Sequence, residues 1–163
     1  MRRPIVIAVI ALASCRPAGR AAAPADSTRF AAMQERGRMV MGVDQYTSQH
    51  VFEDLPDGGR IVLDRPDTAD AAGIATIREH MRTIAAAFAR GDFALPGQVH
   101  DQAVPGTDVM SARHDLIRYQ AADRPRGGEV RITTTDSLAL DAVHRFLAFQ
   151  RSDHRAAGHE HVM

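Results

Sequence analysis

Two runs of hydrophobic residues at helical spacing lie in the middle and near the end of the chain. The first predicts a helix within residues 68–93, because its apolar residues recur every three or four positions and Gly91 supplies a stop. The second predicts a helix within residues 136–154, which Asp136 or Ser137 would cap. The apolar positions are Ile74, Ile77, Met81, Ile84 and Phe88 in the first helix, and Leu140, Val143 and Leu147, with Gln150 on the same face, in the second.

A β-hairpin is predicted before each of these helices. Residues 49–64 ("QHVFEDLPDGGRIVLD") and 115–135 ("DLIRYQAADRPRGGEVRITTT") are two β-rich pairs of segments, each around a turn that contains proline and paired glycines. We expect the glycine pairs to form tight turns, because glycine readily adopts the positive φ values that such turns need. Each half of the chain therefore has the order strand, turn, strand, helix.

Two units of this kind can join into one fold. A lone hairpin with a helix cannot close a core, whereas two of them can pair edge to edge. The prediction is an α+β fold with a four-stranded antiparallel sheet and both helices on one face. A short N-terminal helix capped by Ser27 or Thr28 precedes it, with Phe30 and Met33 near one face. A duplication and two unrelated units of the same type both remain open.

The segment between the two halves, residues 92–114, is the least regular part of the pattern. Its central stretch, residues 98–114 ("QVHDQAVPGTDVMSARH"), is typical of neither helix nor strand. The connection is much longer than usual, and Pro96, Pro105 and Gly106 favour a fixed path. Such a loop either contributes to a functional site or only covers a sheet edge or a helix end.

The start of the chain has the layout of an export signal. Two arginines precede an apolar run that is too short to span a bilayer, and small residues lead to Cys15. The stretch Leu12 to Cys15, "LASC", resembles the bacterial lipoprotein signal, in which the chain is cut before the cysteine and lipid is attached to its sulfur. The alternative is an ordinary secretory signal, cut nearby, that releases an unanchored protein.

These patterns divide the chain into four parts. We expect a signal peptide over residues 1–14, lipidated Cys15 and a flexible tether over residues 15–28, a single α+β domain over residues 29–153 and a flexible histidine-rich tail over residues 154–163. The predicted location is the cell envelope, where a periplasm-facing lipoprotein is held to a membrane by the lipid on Cys15.

Composition excludes several classes of function. Twenty basic and twenty acidic residues give a formal net charge of +0, so the chain has no excess positive charge that would attract nucleic acid. Cys15 is the one cysteine, and its acylation would leave no thiol for catalysis, metal binding or redox exchange. The sequence also lacks a His-Glu-x-x-His motif, a Gly-x-Ser-x-Gly elbow and a glycine-rich phosphate loop.

The histidines and methionines indicate a metal site instead. The chain has 8 histidines, and imidazole nitrogen together with thioether sulfur suits copper. The expected ligands are His50, His100, Met110 and His114, with Met39 and Met41 as further candidates. These side chains can converge only if the connection over residues 92–114 folds back toward the first strand. The histidines of the tail could also bind a metal weakly.

The same residues have structural interpretations. Met39 and Met41 would pack in the core as adaptable fillers. His80 and His144 would lie at the polar boundary of amphipathic helices. The tail would be solvated and inert. A binding domain with copper as its ligand is nevertheless the most concrete prediction.

Two other functions remain open. Exposed arginines such as Arg60, Arg118 and Arg131 would give the sheet a charged face that contacts another envelope protein. A small enzyme would use His100 as a general base beside Asp101, since a carboxylate can orient a histidine. Adjacent residues on an extended loop point in different directions, which weakens that pairing.

Two segments, residues 41–52 and 91–106, resemble a group of exported bacterial proteins of unknown activity. The similar residues are Met41, Gly42, Asp44, Gln45, Thr47, His50, Phe52, Gly91, Asp92, Phe93, His100, Pro105 and Gly106. The resemblance covers most of residues 35–155 and implies a single exported domain. Some members carry the name carbamoyltransferase, but this chain is too short for two α/β domains and has no convincing carbamoyl-phosphate loop. The resemblance therefore supplies no reaction.

Overall fold

The chain has the predicted α+β fold, in a computed structural model that describes residues 24–43 and 47–156. The helices are α1 (Pro24–Met41), α2 (Ala71–Phe88), α3 (Ala94–His100), α4 (Thr107–Ala112) and α5 (Ser137–His154), and the strands are β1 (Gln49–Leu55), β2 (Gly58–Asp64), β3 (Ile117–Arg124) and β4 (Gly127–Thr134). The expected signal peptide, Cys15 and the tail beyond residue 156 lie outside the described residues. None of the described helices is long and apolar enough to cross a membrane.

The four strands form one antiparallel sheet in the order β1-β2-β4-β3. The two predicted hairpins form its outer pairs, and β2 pairs with β4 at the centre. Gly58 lies opposite Thr133 and Gly127 lies opposite Asp64, so the two halves meet with approximate twofold symmetry. Helix α2 packs mainly on β3 and β4, while α5 packs mainly on β1 and β2. Each long helix therefore covers strands of the other half.

The prediction that the paired glycines form the turns is wrong, because these glycines begin β2 and β4. Residues 56–57 make the first turn, and the glycines that follow it are needed for close packing. A Cβ atom on Gly58, whose φ is +148°, would lie 2.1 Å from the carbonyl oxygen of Ile132 in β4. A Cβ atom on Gly59 would lie 2.2 Å from Leu147 in α5. Glycine is thus required where a strand or helix approaches the backbone.

Aspartates cap both long helices at corresponding positions. The side chain of Asp70 accepts a hydrogen bond from the backbone N–H of Gly73 at 2.9 Å, and that of Asp136 accepts one from Ala139 at 2.8 Å. Each cap satisfies one of the backbone donors that a helix start leaves unpaired. The predicted cap at Asp136 is confirmed.

The segment between the halves is more regular than predicted. It contains α3, of 7 residues, and α4, of 6 residues, separated by positive φ values at Asp101 and Gly106. Helices this short hold too few residues to show a hydrophobic period. Pro96 lies in the first turn of α3, where no backbone N–H is needed for the helix. The prediction of neither helix nor strand is therefore wrong for this segment.

Helix α1 begins at Pro24, inside the segment expected to be a tether, and is longer than the predicted N-terminal helix. It packs on α3, where Nε of Arg36 donates a hydrogen bond to the carbonyl of Val99 at 2.8 Å. Met39 was expected in the core but is 64% exposed. Met41, the last residue of α1, is half-buried.

The sheet face away from the long helices carries the arginines considered as a contact surface. Arg60 forms an ion pair with Glu53, and Arg131 forms one with Asp57. Arg118 is exposed. Two of the three positive charges are thus paired within the domain, which reduces the charge available to a partner.

Candidate functional site

A cavity of about 50 Å³ lies between the helices and the sheet face that they cover. It has room for a few water molecules, or for one metal ion with a small ligand. Most of its wall is aliphatic or aromatic. The side chains with donor atoms in the wall are Met41, His50, His80, His100, Gln150 and His154. Histidines from β1, α2, α3 and α5 therefore meet in one place.

His154, the last residue of α5, contacts two other imidazole rings. Its ring is stacked on that of His50, with centroids 5.3 Å apart and an interplanar angle of 11°. The ring of His100 lies edge-on to it at 4.9 Å and 87°. Two imidazoles that bind one tetrahedral ion at about 2.0–2.1 Å place their ring centres about 5 Å apart. The spacing suits a shared ion, but the parallel rings of His50 and His154 would have to rotate.

His50 has one buried ring nitrogen, Nε2, without a hydrogen-bond partner among the described residues. The ring does hydrogen bond the backbone of Ser48. Because Nε2 is unpaired, we assign this bond to Nδ1, which would carry the proton and donate it to the carbonyl of Ser48. Nε2 would then hold a lone pair that has no partner among the described residues. A buried polar atom left in this state costs about 1–3 kcal/mol, which a ligand on the lone pair would offset.

Burial keeps three of the cavity histidines neutral near pH 7. It lowers the pKa of His50 to about 4, with a further contribution from positive charge on His80, and it lowers the pKa of His80 to about 4. Burial also holds the pKa of His154 well below its usual range, and charge on His50 and His100 acts in the same direction. Neutral imidazole is the form that binds metal ions.

Both ring nitrogens of His100 are occupied. Nδ1 lies 2.5 Å from Oδ2 of Asp153, and Nε2 lies 3.0 Å from Oε1 of Gln150. The carboxylate of Asp153 accepts a hydrogen bond from Nδ1, and Nε2 is paired with the side-chain amide of Gln150. Asp101, the neighbour considered from the sequence, is exposed. The carboxylate that orients His100 is thus Asp153, not Asp101.

The structure brings together two of the four predicted metal ligands. His50 and His100 line the cavity and both contact the ring of His154. Met110 is fully buried in the hydrophobic core, and Nδ1 of His114 lies 3.0 Å from the carbonyl oxygen of Ser111. Neither Met110 nor His114 belongs to the cavity wall.

The sequence-based set omits donors whose burial could have been inferred. His80 falls at helical spacing with Ile77 and Ile84, so it lies on the buried face of α2. His154 continues the buried face that contains Gln150 by one further turn, but it had been assigned to the tail. The helix predicted within residues 136–154 already reached His154, so its place on the buried face could have been inferred from the sequence.

Comparison of the chain with protein-family models, curated protein sequences and solved structures finds no match. Within residues 24–43 and 47–156, no three histidine, cysteine, aspartate or glutamate side chains are gathered in a geometry that would hold a metal ion. An ion in the cavity would therefore have to draw imidazoles together by rotation of their rings.

Proposed function

We propose that this protein binds a copper ion, as Cu(I), in the cavity lined by histidines. The observation that carries the proposal is the buried Nε2 atom of His50, which has no partner among the described residues while Nδ1 is held by Ser48. Histidines that bind metals are oriented in this way, since one nitrogen donates to a carbonyl or carboxylate and the other binds the ion. His154 and His100 would supply two further imidazoles.

The chemistry of the wall favours Cu(I) over other ions. Imidazole suits zinc, copper, iron and nickel, and among these copper is the one that also binds as a singly charged ion, Cu(I). Moving a unit charge from water into a low-dielectric interior costs of order 20 kcal/mol in an idealised calculation, and the cost grows with the square of the charge. A largely apolar wall therefore accepts a singly charged ion more readily than a doubly charged one.

The carboxylate of Asp153 contacts one of the proposed ligands, His100, on the ring nitrogen that would not bind the ion. Its hydrogen bond to His100 orients the imidazole and makes Nε2 a stronger donor to a metal. Gln150 occupies that nitrogen, so binding requires the amide to withdraw. Together with rotation of the His50 and His154 rings, this small movement would gather three imidazoles around one ion.

Titration with Cu(I) tests the proposal. The purified chain, without a polyhistidine tag, is titrated under oxygen-free reducing conditions against a chromogenic chelator, and we expect one equivalent to bind in the cavity. His50→Gln should weaken binding by at least about 100-fold, because a metal ligand and its fixed orientation are lost together. His114→Gln is the matched control, since His114 is half-buried but lies outside the cavity wall.

The histidines of the tail need a separate control. His159 and His161 lie outside the described residues and can bind metal ions on their own. All titrations therefore use a chain that carries His159→Ala and His161→Ala. Absence of bound Cu(I) in this background, or equal affinity in the His50 and His114 variants, would contradict the proposal.

We also propose that the domain works at a membrane surface of the cell envelope. The support is the lipoprotein-like stretch that ends at Cys15 and the short distance from it to Pro24, where α1 begins. Lipid on Cys15 would hold the chain at the membrane through its buried methylenes. Cys15→Ser should move the protein from the membrane fraction to the soluble fraction of the producing cells. Continued membrane association of that variant would argue against lipidation.

A further inference from the structure

A groove on the surface, which we call the outer groove, lies next to the cavity between α1, α2 and α3. It has a volume of about 450 Å³ and is open to solvent. Three side chains belong both to its wall and to the wall of the cavity: Met41, His80 and Leu95. These three side chains therefore form the partition between the outer groove and the proposed copper site.

The charges near the cavity favour this side for a cation. Glu79 lies in the wall of the outer groove, and the wall contains no arginine among the described residues. At the opposite approach, beside the end of α5, Arg29 lies 3.4 Å from Asp153 and the guanidinium of Arg155 lies over a ring of α1. A cation would meet two guanidinium groups and the Asp153 carboxylate there. At the outer groove it would meet the Glu79 carboxylate, which is paired with the single guanidinium of Arg82 at 3.4 Å.

We propose that Cu(I) enters and leaves the cavity through the outer groove, and that Met41 and His80 pass it through the partition. The inference rests on the proposed function, because it takes Cu(I) as the ligand. The ion would bind first to the thioether of Met41 and then to the imidazole of His80, before His50, His100 and His154 replace them. Each step exchanges one neutral donor for another, so copper stays Cu(I) and no electron is transferred.

The position of Met41 suits this task. It is the last residue of α1, and Gly42, with φ +66°, turns the chain away from the helix axis directly after it. A methionine side chain has several rotatable bonds, so it can swing aside without a movement of the backbone. Leu95 is the apolar third member of the partition and sets how wide the opening becomes.

Rates of Cu(I) uptake and release distinguish a residue on the entry route from a ligand of the bound ion. Cu(I) is supplied as its bicinchoninate complex, and uptake and release are followed by stopped-flow absorbance. Met41→Leu keeps the size of the side chain but removes the sulfur. We expect the rates of Cu(I) uptake and release both to fall by about tenfold or more, while the affinity stays within about threefold of the wild type. A higher activation barrier for passage through the partition slows both directions equally and leaves the equilibrium unchanged.

Two further variants complete the test. Met39→Leu is the matched control, since Met39 lies on the same helix but is 64% exposed and outside the partition, so its rates should equal those of the wild type. Leu95→Phe narrows the opening without touching a donor atom and should also slow both directions. Circular dichroism confirms that each variant is folded.

The outcomes distinguish the route from the site. A wild-type chain that binds no Cu(I) overturns the proposed function and the route with it. Bound Cu(I) with unchanged rates in both Met41→Leu and Leu95→Phe overturns the route alone. A large loss of affinity in Met41→Leu with unchanged uptake also overturns it, because Met41 would then be a permanent ligand.

Discussion

The two halves of the molecule place different side chains at equivalent points. His50 in β1 and Tyr119 in β3 lie at the same distance before the glycine pairs, and His154 and Phe88 are the last residues of α5 and α2. Each strand residue contacts the helix end from the other half. The rings of His50 and His154 are 5.3 Å apart, and those of Tyr119 and Phe88 are 5.7 Å apart.

The two ends border the same cavity with different side chains: Phe88 and Phe146 on the aromatic side, and His50, His100 and His154 on the histidine side. At the aromatic end, formed with Tyr119, the rings of Phe93 and Phe146 lie 4.5 Å and 5.9 Å from Phe88 and complete a packed cluster. At the histidine end, formed by His50, His100 and His154, three imidazoles line the cavity. The aromatic end thus contains three phenyl rings and Tyr119, whose buried hydroxyl has no hydrogen-bond partner among the described residues. Burial of the polar imidazole rings at the histidine end lowers the stability of the fold. Residues that lower stability in this way are expected at functional sites.

The strongest test of the comparison is to give the histidine end the side chains of the aromatic end. In the double variant His50→Tyr and His154→Phe, two proposed ligands are removed and part of the cavity is filled. We expect Cu(I) affinity to fall by at least about 1,000-fold, or about 4 kcal/mol, because one imidazole cannot replace three. Chelator competition measures the loss. Retained affinity in a folded double variant would place the copper elsewhere.

A second test compares the stabilities of the two ends. Phe88→Ala should lower the free energy of unfolding by about 3–5 kcal/mol, because it empties a packed aromatic position. His154→Ala, at the equivalent helix end, should cost less than about 2 kcal/mol, since it enlarges a space that is already open. Urea denaturation at neutral pH measures both values. Equal costs would mean that the histidine end is as well packed as the aromatic end.

A third test uses the pH dependence of stability. The pKa values of His50 and His80 in the folded chain are about 4, below the ordinary value of 6.5, so the unfolded chain binds more protons between these values. Stability is therefore full above about pH 6.5 and falls toward pH 4, by about 1.4 kcal/mol per pKa unit for each group.

Urea denaturation at about pH 7.5 and pH 5 should show this fall as a few kcal/mol. The double variant His50→Tyr and His154→Phe keeps only His80 of the three strongly shifted groups, so its stability should depend less on pH. An equal dependence in the two proteins would show that the pH effect arises outside the histidine end.

Much of the fold could be predicted from local pattern. The helices α2 and α5 show their period clearly, and the two hairpins were found at the correct places. The glycine pairs were placed in the turns because turn chemistry is visible in a sequence, whereas the approach of Ile132 to Gly58 depends on the pairing of distant strands. Helices α3 and α4 were missed because short helices are held by contacts with α1 and α5 and not by their own period.

The site was harder to predict than the fold. His50 and His100 were chosen correctly as residues that meet, since the connection between the halves does fold back over the sheet. Met110 and His114 follow His100 closely in sequence, but α4 turns Met110 into the core. His154 was left out because it was assigned to the tail over residues 154–163, although the predicted helix also ended at this residue. Convergence of side chains from four elements is a property of the tertiary fold, which no local pattern contains.

Binding of Cu(I) by the cavity histidines can be tested in a crystal structure of the Cu(I)-loaded protein, with anomalous scattering collected at the copper edge. We expect one strong anomalous peak in the cavity, within bonding distance of Nε2 of His50 and of the imidazoles of His154 and His100, with the amide of Gln150 displaced. A peak outside the cavity, with Nε2 of His50 still without a partner, would contradict it.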